Sequence, residues 1–192
     1  MSAMNETTGV RSDYNNFWKD IYLGIVAFMN TKKALIGAAL LIASSAMADL
    51  KSDMQKRFDM YCAAVKKRDA KEIENVLRGI FDHDFKFVPK KGKSTNLSQW
   101  IEQEKMQMKL TQKVNSVSLH IDSIKMGKGS AKMMVTLTYE GMAKMDPRGK
   151  AGILKFIASS EQSMVQKNGK WWITEMREGK STTTYNGKSV GM

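Results

Sequence analysis

The chain has 192 residues, of which 31 are lysine or arginine and 19 aspartate or glutamate, giving a formal charge of +12 at pH 7. Its single cysteine, Cys62, excludes an internal disulfide, so stability has to come from packing. His83 and His120 are far apart and make no metal-ligand spacing with Cys62, and there is no phosphate loop, nucleophile elbow or cofactor fingerprint, so neither a metal nor a cofactor is expected.

Residues 1–28 show no clear cap, repeat or motif and are read as an extension upstream of a natural start at Met29. The stretch that follows, "MNTKKALIGAALLIASSAMADL", has the three parts of a secretory signal peptide. Lys32 and Lys33 are its positive region, Ala34 to Ala43 its apolar region, and Ala46-Met47-Ala48 its small-residue cleavage site. A bilayer-spanning helix needs roughly 20 apolar residues, and the block from Ala34 to Ala48 is shorter and contains Ser44 and Ser45. The reading is therefore a peptide at 29–48, cut after Ala48, and a periplasmic or secreted product. As an uncleaved anchor, the same block would tether the rest of the chain to the envelope.

Residues 49–192 are enough for one domain with a core. They keep 27 basic and 16 acidic residues, and 22 of the 27 are lysine, scattered without a block or aromatic interleaving. That distribution argues against a nucleic-acid partner and fits solvated faces with at most a loose attraction to anionic envelope surfaces.

Leu50, Met54, Phe58, Tyr61 and Val65 recur at helical spacing, which predicts an amphipathic helix over 50–68 with Cys62 packed as an inert thiol on its buried side. Asp69 caps a second helix, "DAKEIENVLRGIF", with Ile73, Val76, Leu77, Ile80 and Phe81 on one stripe. "DHD" reads as a loop and "FKFV" as a short strand ended by Pro89 and the turn-rich "KKGKSTN". Asn96 with Gln99 resembles a capping box opening a short third helix through Trp100, Ile101 and Lys105.

From Val114 the period changes to two, with Val117, Leu119 and Ile121 on one face and His120 on the other. "MGKGSA" is a tight turn, and Met133, Val135, Leu137 and Tyr139 share a face of the next strand. After the loop "MDPRGKAG" comes a strand over 153–167, then Asn168-Gly169, a strong hairpin signal, leading into "KWWITEMREG". The tail "KSTTTYNGKSVGM" is read as an extension of the last strand that then frays. Helices followed by a four-stranded antiparallel meander predict an α+β domain.

"RDAKEIENVL", "FDHDFKFV", "NLSQWIEQ" and "QKNGKWWITEMREG", in this order and spacing, resemble the nuclear transport factor 2-like superfamily, and within it the SnoaL-like exported proteins of bacteria. The resemblance implies a cone-shaped α+β barrel, in which helices pack in the concave face of a strongly curved, mostly antiparallel sheet around an apolar pocket. It also implies a choice among isomerases, dehydratases or polyketide cyclases, non-catalytic ligand binders, and modules of envelope or secretion assemblies, because fold does not name function.

Ketosteroid isomerases of this fold use a carboxylate base with a tyrosine and a protonated carboxylic acid. The resemblance makes Tyr61 and Asp84 the candidates for catalysis, but no aspartate stands on an apolar face of the late strands, where Glu161 and Glu175 flank polar residues. Tyr61 then reads as a core tyrosine, and Asp84 as a strand-entry carboxylate near Lys86. His120 faces away from the apolar row, and His83 stands between two aspartates. With no complete catalytic set, the leading reading is an exported, non-catalytic, homodimeric domain that binds a small apolar molecule or a protein partner, with Tyr61, Trp100, Met133, Tyr139 and Trp172 as the candidate ligand-binding residues. Twelve methionines after residue 48 suit an adaptable apolar cavity as well as ordinary core filling. In Trp171-Trp172 the two indoles must face opposite ways, so one is expected outside, either at a homodimer interface or shielded by lysine stems.

Overall fold

The structure is a computed structural model that describes residues 47–144 and 148–190. The expected upstream extension, the expected signal peptide up to residue 46 and part of the "MDPRGKAG" loop lie outside the described residues. The first helix, α1, is described over residues 47–67, and its stripe of Leu50, Met54, Phe58, Cys62 and Val65 is buried. It ends at Arg68, whose φ of 57° is left-handed, and the next residue, Asp69, accepts the backbone N–H groups of Lys71 and Glu72 to cap α2 (Ala70–Ile80). Ile73, Leu77 and Ile80 are the buried positions of α2, each contributing about 1.5–3 kcal/mol by leaving water.

β1 (Phe81–Val88) begins four residues earlier than "FKFV" suggests. Phe81 still donates its N–H to the Leu77 carbonyl, closing the last helical turn, while its own φ and ψ of −91° and 142° are already extended. The apolar stripe therefore runs one residue past the helix, and His83 and Asp84 lie in a strand, not a loop. β2 (Thr95–Asn96) pairs with β1 and delivers α3 (Leu97–Leu110). The capping box is formed: Asn96 Oδ1 accepts the Gln99 N–H at 3.0 Å, and Gln99 Oε1 accepts the Asn96 N–H at 3.1 Å. α3 is longer than the short helix expected, because Met108 is buried and Thr111 Oγ1 donates to the Gln107 carbonyl to close the last turn. Asn96→Ala removes the cap acceptor and is expected to cost about 1 kcal/mol in a urea or thermal titration, with the same folded far-UV spectrum.

Four long strands follow, β3 (Thr111–Gly127), β4 (Ser130–Ala143), β5 (Gly152–Lys167) and β6 (Lys170–Tyr185), each pairing antiparallel with the next. Asn168 and Gly169 both have positive φ, 52° and 76°, as a two-residue hairpin turn requires. β1 lies parallel beside β6, so among the described residues the strand order is β2-β1-β6-β5-β4-β3. The tail extends the last strand as expected, to Tyr185, but does not then fray. Asn186 and Gly187 repeat the hairpin signal, and β7 (Lys188–Ser189) folds back on β6.

Register irregularities interrupt β3 against β4 at Thr111/Lys113, Val114/Ser116 and Ile121/Ser123, and β5 against β6 at Ala158/Ser160 and Ser163/Met164. Bulges bend strands and raise their twist, so the sheet curls without closing, leaving β2 and β3 as its ends. α1 lies in the hollow, held by Gln55 Nε2 donating to the Leu119 carbonyl of β3 at 2.8 Å and by Arg57 Nη1 donating to the Trp171 carbonyl of β6 at 2.8 Å. This is an α+β fold, as the element order predicted, with the curled cone that the resemblance implied and without closure into a barrel.

Candidate functional site

Between the helices and the curled sheet the core is left unfilled, with a cavity of about 380 Å³. α1 supplies Phe58, Tyr61 and Val65 to its wall, α2 supplies Leu77 and Ile80, and α3 supplies Trp100, Glu104, Gln107 and Met108. The sheet contributes Leu119 from β3, Leu137 and Tyr139 from β4, Leu154, Phe156 and Ala158 from β5, and Met176 and Thr183 from β6. The alternation of strand side chains explains this selection, since Leu154, Phe156, Ala158, Ser160 and Gln162 share the inner face of β5. Phe87 and Trp100 meet in the wall with ring centroids 4.6 Å apart and planes tilted by 45°.

The polar groups are few. Tyr61 donates its hydroxyl to Glu104 Oε2 at 2.9 Å, from α1 to α3. Burial pushes the Glu104 carboxyl above its ordinary range, against the opposing effect of the Tyr61 hydrogen bond. Burial first, and the neighbouring Glu104 second, also hold the Tyr61 phenol well above its ordinary value, so it stays a neutral donor. Glu104 carries a raised folded pKa, so its contribution to stability is complete below the unfolded carboxyl pKa and is lost as pH rises through the folded one. Glu104→Gln keeps an acceptor for Tyr61 and removes the ionisation. It is therefore expected to melt higher than the parent at neutral pH and to lose that advantage in acid, as a pair of melting curves at the two pH values would read.

Two polar atoms of the wall have no partner: Gln162 Oε1 and Thr183 Oγ1. Gln162 is only 3% exposed and its amide nitrogen is engaged by Ser160 Oγ at 3.3 Å and Met176 Sδ at 3.7 Å. The thioether only accepts, which fixes the NH₂ on that side and leaves the carbonyl oxygen unclaimed. Unsatisfied buried acceptors cost stability unless something fills the space and donates to them.

Of the residues singled out in the sequence, Tyr61, Trp100 and Tyr139 stand in the cavity wall. Met133 is fully buried in the core and does not line the cavity. Trp172 does not line it either: Trp171 takes the inward position against the core, and the Lys170 ammonium lies 4.0 Å over the outward Trp172 ring. Asp84 lies outside the cavity wall with its carboxylate 3.0 Å from His83 Nε2, while His83 Nδ1 meets Asp82 Oδ1 at 2.9 Å. Asp82, His83 and Asp84 could together face a metal ion, but Lys167 Nζ already occupies Asp82 at 2.7 Å and supplies the positive charge there. Neither histidine lines the cavity among the described residues.

Glu104 and Gln162 are the functional candidates that the sequence reading did not single out. A signal for each exists. Leu97, Ile101, Glu104 and Met108 follow one another at spacings of four, three and four, which puts the carboxyl on the buried stripe of α3. Gln162 follows Leu154, Phe156 and Ala158 at even spacing.

No family model matches the sequence, and no curated protein matches it. Solved structures share its fold. A conserved protein from Planctomyces limnophilus superposes with a TM-score of 0.53 at 12% identity, over 68% of this chain and 93% of that one. A nuclear transport factor 2-like superfamily protein from Salmonella enterica gives 0.51 at 15% identity, over 69% and 91%. A scytalone dehydratase-like protein from Novosphingobium aromaticivorans gives 0.51 at 9% identity, over 73% and 90%. At such identities the likeness is one of fold.

Proposed function

On the premise that the chain has the nuclear transport factor 2-like fold, we propose that it is a non-catalytic binding domain for a small, mostly apolar molecule. One observation carries this reading: a cavity of about 380 Å³ whose wall is mostly apolar, with two buried polar atoms that have no partner among the described residues. Ligand sites are commonly of this size and make-up, with polar groups that orient the guest and an apolar wall that binds it. Native mass spectrometry of the protein purified from its source tests it. A bound small molecule released on denaturation supports the reading; a mass equal to the bare chain, together with no uptake of neutral aromatic probes, contradicts it.

Export through the segment at 29–48 belongs to the same proposal and rests on the sequence pattern. Sequencing the N-terminus of the native protein tests it, with Asp49 as the expected first residue. A homodimer through the outer sheet face is supported by Met142, Ile153 and Ile157, which are 41%, 44% and 52% exposed on adjacent strands. The subunit count from the same mass spectrum checks it.

The Tyr61–Glu104 hydrogen bond favours a second reading, an isomerase or dehydratase of this fold in which Glu104 moves the proton and Tyr61 steadies the developing charge. In that case Glu104→Gln keeps binding and abolishes turnover. Under the binding reading no turnover exists to lose.

A further inference from the structure

The protein is strongly basic, with 31 lysines and arginines against 19 acidic residues, yet among the described residues the only charged side chains lining the cavity are Glu104 and Glu178. A pocket meant for a fatty acid or another anion would place a lysine, arginine or histidine at the buried head group, because an ionised group leaves water only when it is paired. Lysine is abundant in this chain, so its absence from the wall is a matter of placement, not supply.

Among the described residues neither carboxylate is paired with a cation. Glu104 accepts one hydrogen bond, from the Tyr61 hydroxyl, and forms no ion pair among the described residues. The adjacent Lys105 is committed elsewhere, to Glu74 at 2.7 Å and Glu102 at 3.0 Å. Among the described residues Glu178 accepts only the backbone N–H of Lys90, at 3.1 Å. The two unpartnered buried atoms, Gln162 Oε1 and Thr183 Oγ1, are both able to accept a hydrogen bond. Around these acceptors the wall is rich in rings, with Tyr61, Trp100 and Phe87 on the helix and β1 side and Tyr139 and Phe156 on the meander. Ring faces attract cations, and the attraction grows where water is excluded.

We propose that the ligand is a hydrophobic amine, with a protonated amino group at Glu104 and an aromatic or aliphatic body against Trp100 and the sheet wall. This rests on the cavity being a ligand site, as proposed above. The ammonium pairs with the Glu104 carboxylate, which has no cation among the described residues, and the apolar body fills the space between helices and sheet.

Three probes sharing one body separate the possibilities: 2-naphthylmethylamine, 2-naphthylmethanol and 2-naphthoate, titrated calorimetrically into the full chain at neutral pH. The amine is expected to bind about tenfold or more tighter than the alcohol, and the carboxylate weakest. The overall positive charge of the protein would favour the opposite order, so the ranking reports the cavity and not the general field. Glu104→Gln is expected to abolish the advantage of the amine over the alcohol. The wild-type ranking stands whether or not that variant folds. An alcohol that binds as well as the amine, or a carboxylate that binds best, overturns the inference and leaves the cavity reading in place. Failure of all three probes to bind overturns both.

Discussion

Replacing Ala158 with phenylalanine is expected to weaken binding of a neutral aromatic probe by at least about tenfold while leaving the protein as stable as its parent or more so. Ala158 lies opposite Leu137 in the β4–β5 ladder, and both side chains face the cavity. A ring at this position enters space that is already empty. The overpacking cost of about 1–3 kcal/mol that attends such a change in a filled core does not arise, and new apolar contacts are gained instead. Calorimetric titration with 2-naphthylmethanol and a melting curve of the same sample read the two effects. Unchanged affinity would mean that the probe binds elsewhere; a large loss of stability would mean that the space is filled in solution.

Gly179→Ala is expected to destabilise the domain by about 1–3 kcal/mol, a large part of the total of about 5–15 kcal/mol typical of a domain. A Cβ at Gly179 would meet the Ser159 hydroxyl and stand 2.7 Å from the Ser159 carbonyl oxygen, at the irregularity where β5 bends against β6. Ser159 cannot easily give way, because its hydroxyl accepts the Lys180 N–H at 2.9 Å and donates to the Lys180 carbonyl at 3.3 Å. Relief requires the two strands to part at the bend, which is also the wall that carries Ala158, Ser160 and Glu178. A urea titration should show the midpoint falling with little change in slope. Gly141→Ala makes an independent check on the other pair of strands, where the added carbon would stand 2.6 Å from the Lys113 carbonyl oxygen and press on the Tyr139 ring. Wild-type stability in both variants would mean that these bends are not tightly built.

The elements that local chemistry determines were legible in the sequence. Asp69 and the Asn96–Gln99 box mark helix starts, and Asn168-Gly169 marks a hairpin, because each motif satisfies its own backbone groups without distant help. The α+β class followed from their order, and the curl of the sheet from the family resemblance. What escaped depends on distant partners or on mistaken polarity. β1 reaches back to Phe81 because it pairs in parallel with β6, a strand about ninety residues away, which no local period records. The end of the tail was read as fraying because it is polar, yet beyond the expected strand extension Asn186-Gly187 carries the same turn signal as the earlier hairpin and β7 folds back on β6. In the site, Tyr61, Trp100 and Tyr139 were legible as inward aromatics. Trp172 was mistaken for a wall residue because alternation says that the two indoles differ but not which is inside. Glu104 was passed over because a glutamate on a helix is ordinarily solvated, and only its place on the apolar stripe of α3 sets it apart.

The central claim, an unfilled cavity between α1 and the curled sheet that takes up a small apolar guest, is tested most directly by methyl-labelled NMR of the full chain with and without 2-naphthylmethanol. Shifts and probe contacts concentrated at Ile80, Leu119, Leu137 and Leu154, with Ile153 and Ile157 on the outer face unmoved, are the predicted result. A response confined to Ile153 and Ile157, or none at the inner methyls at saturating probe, would contradict it.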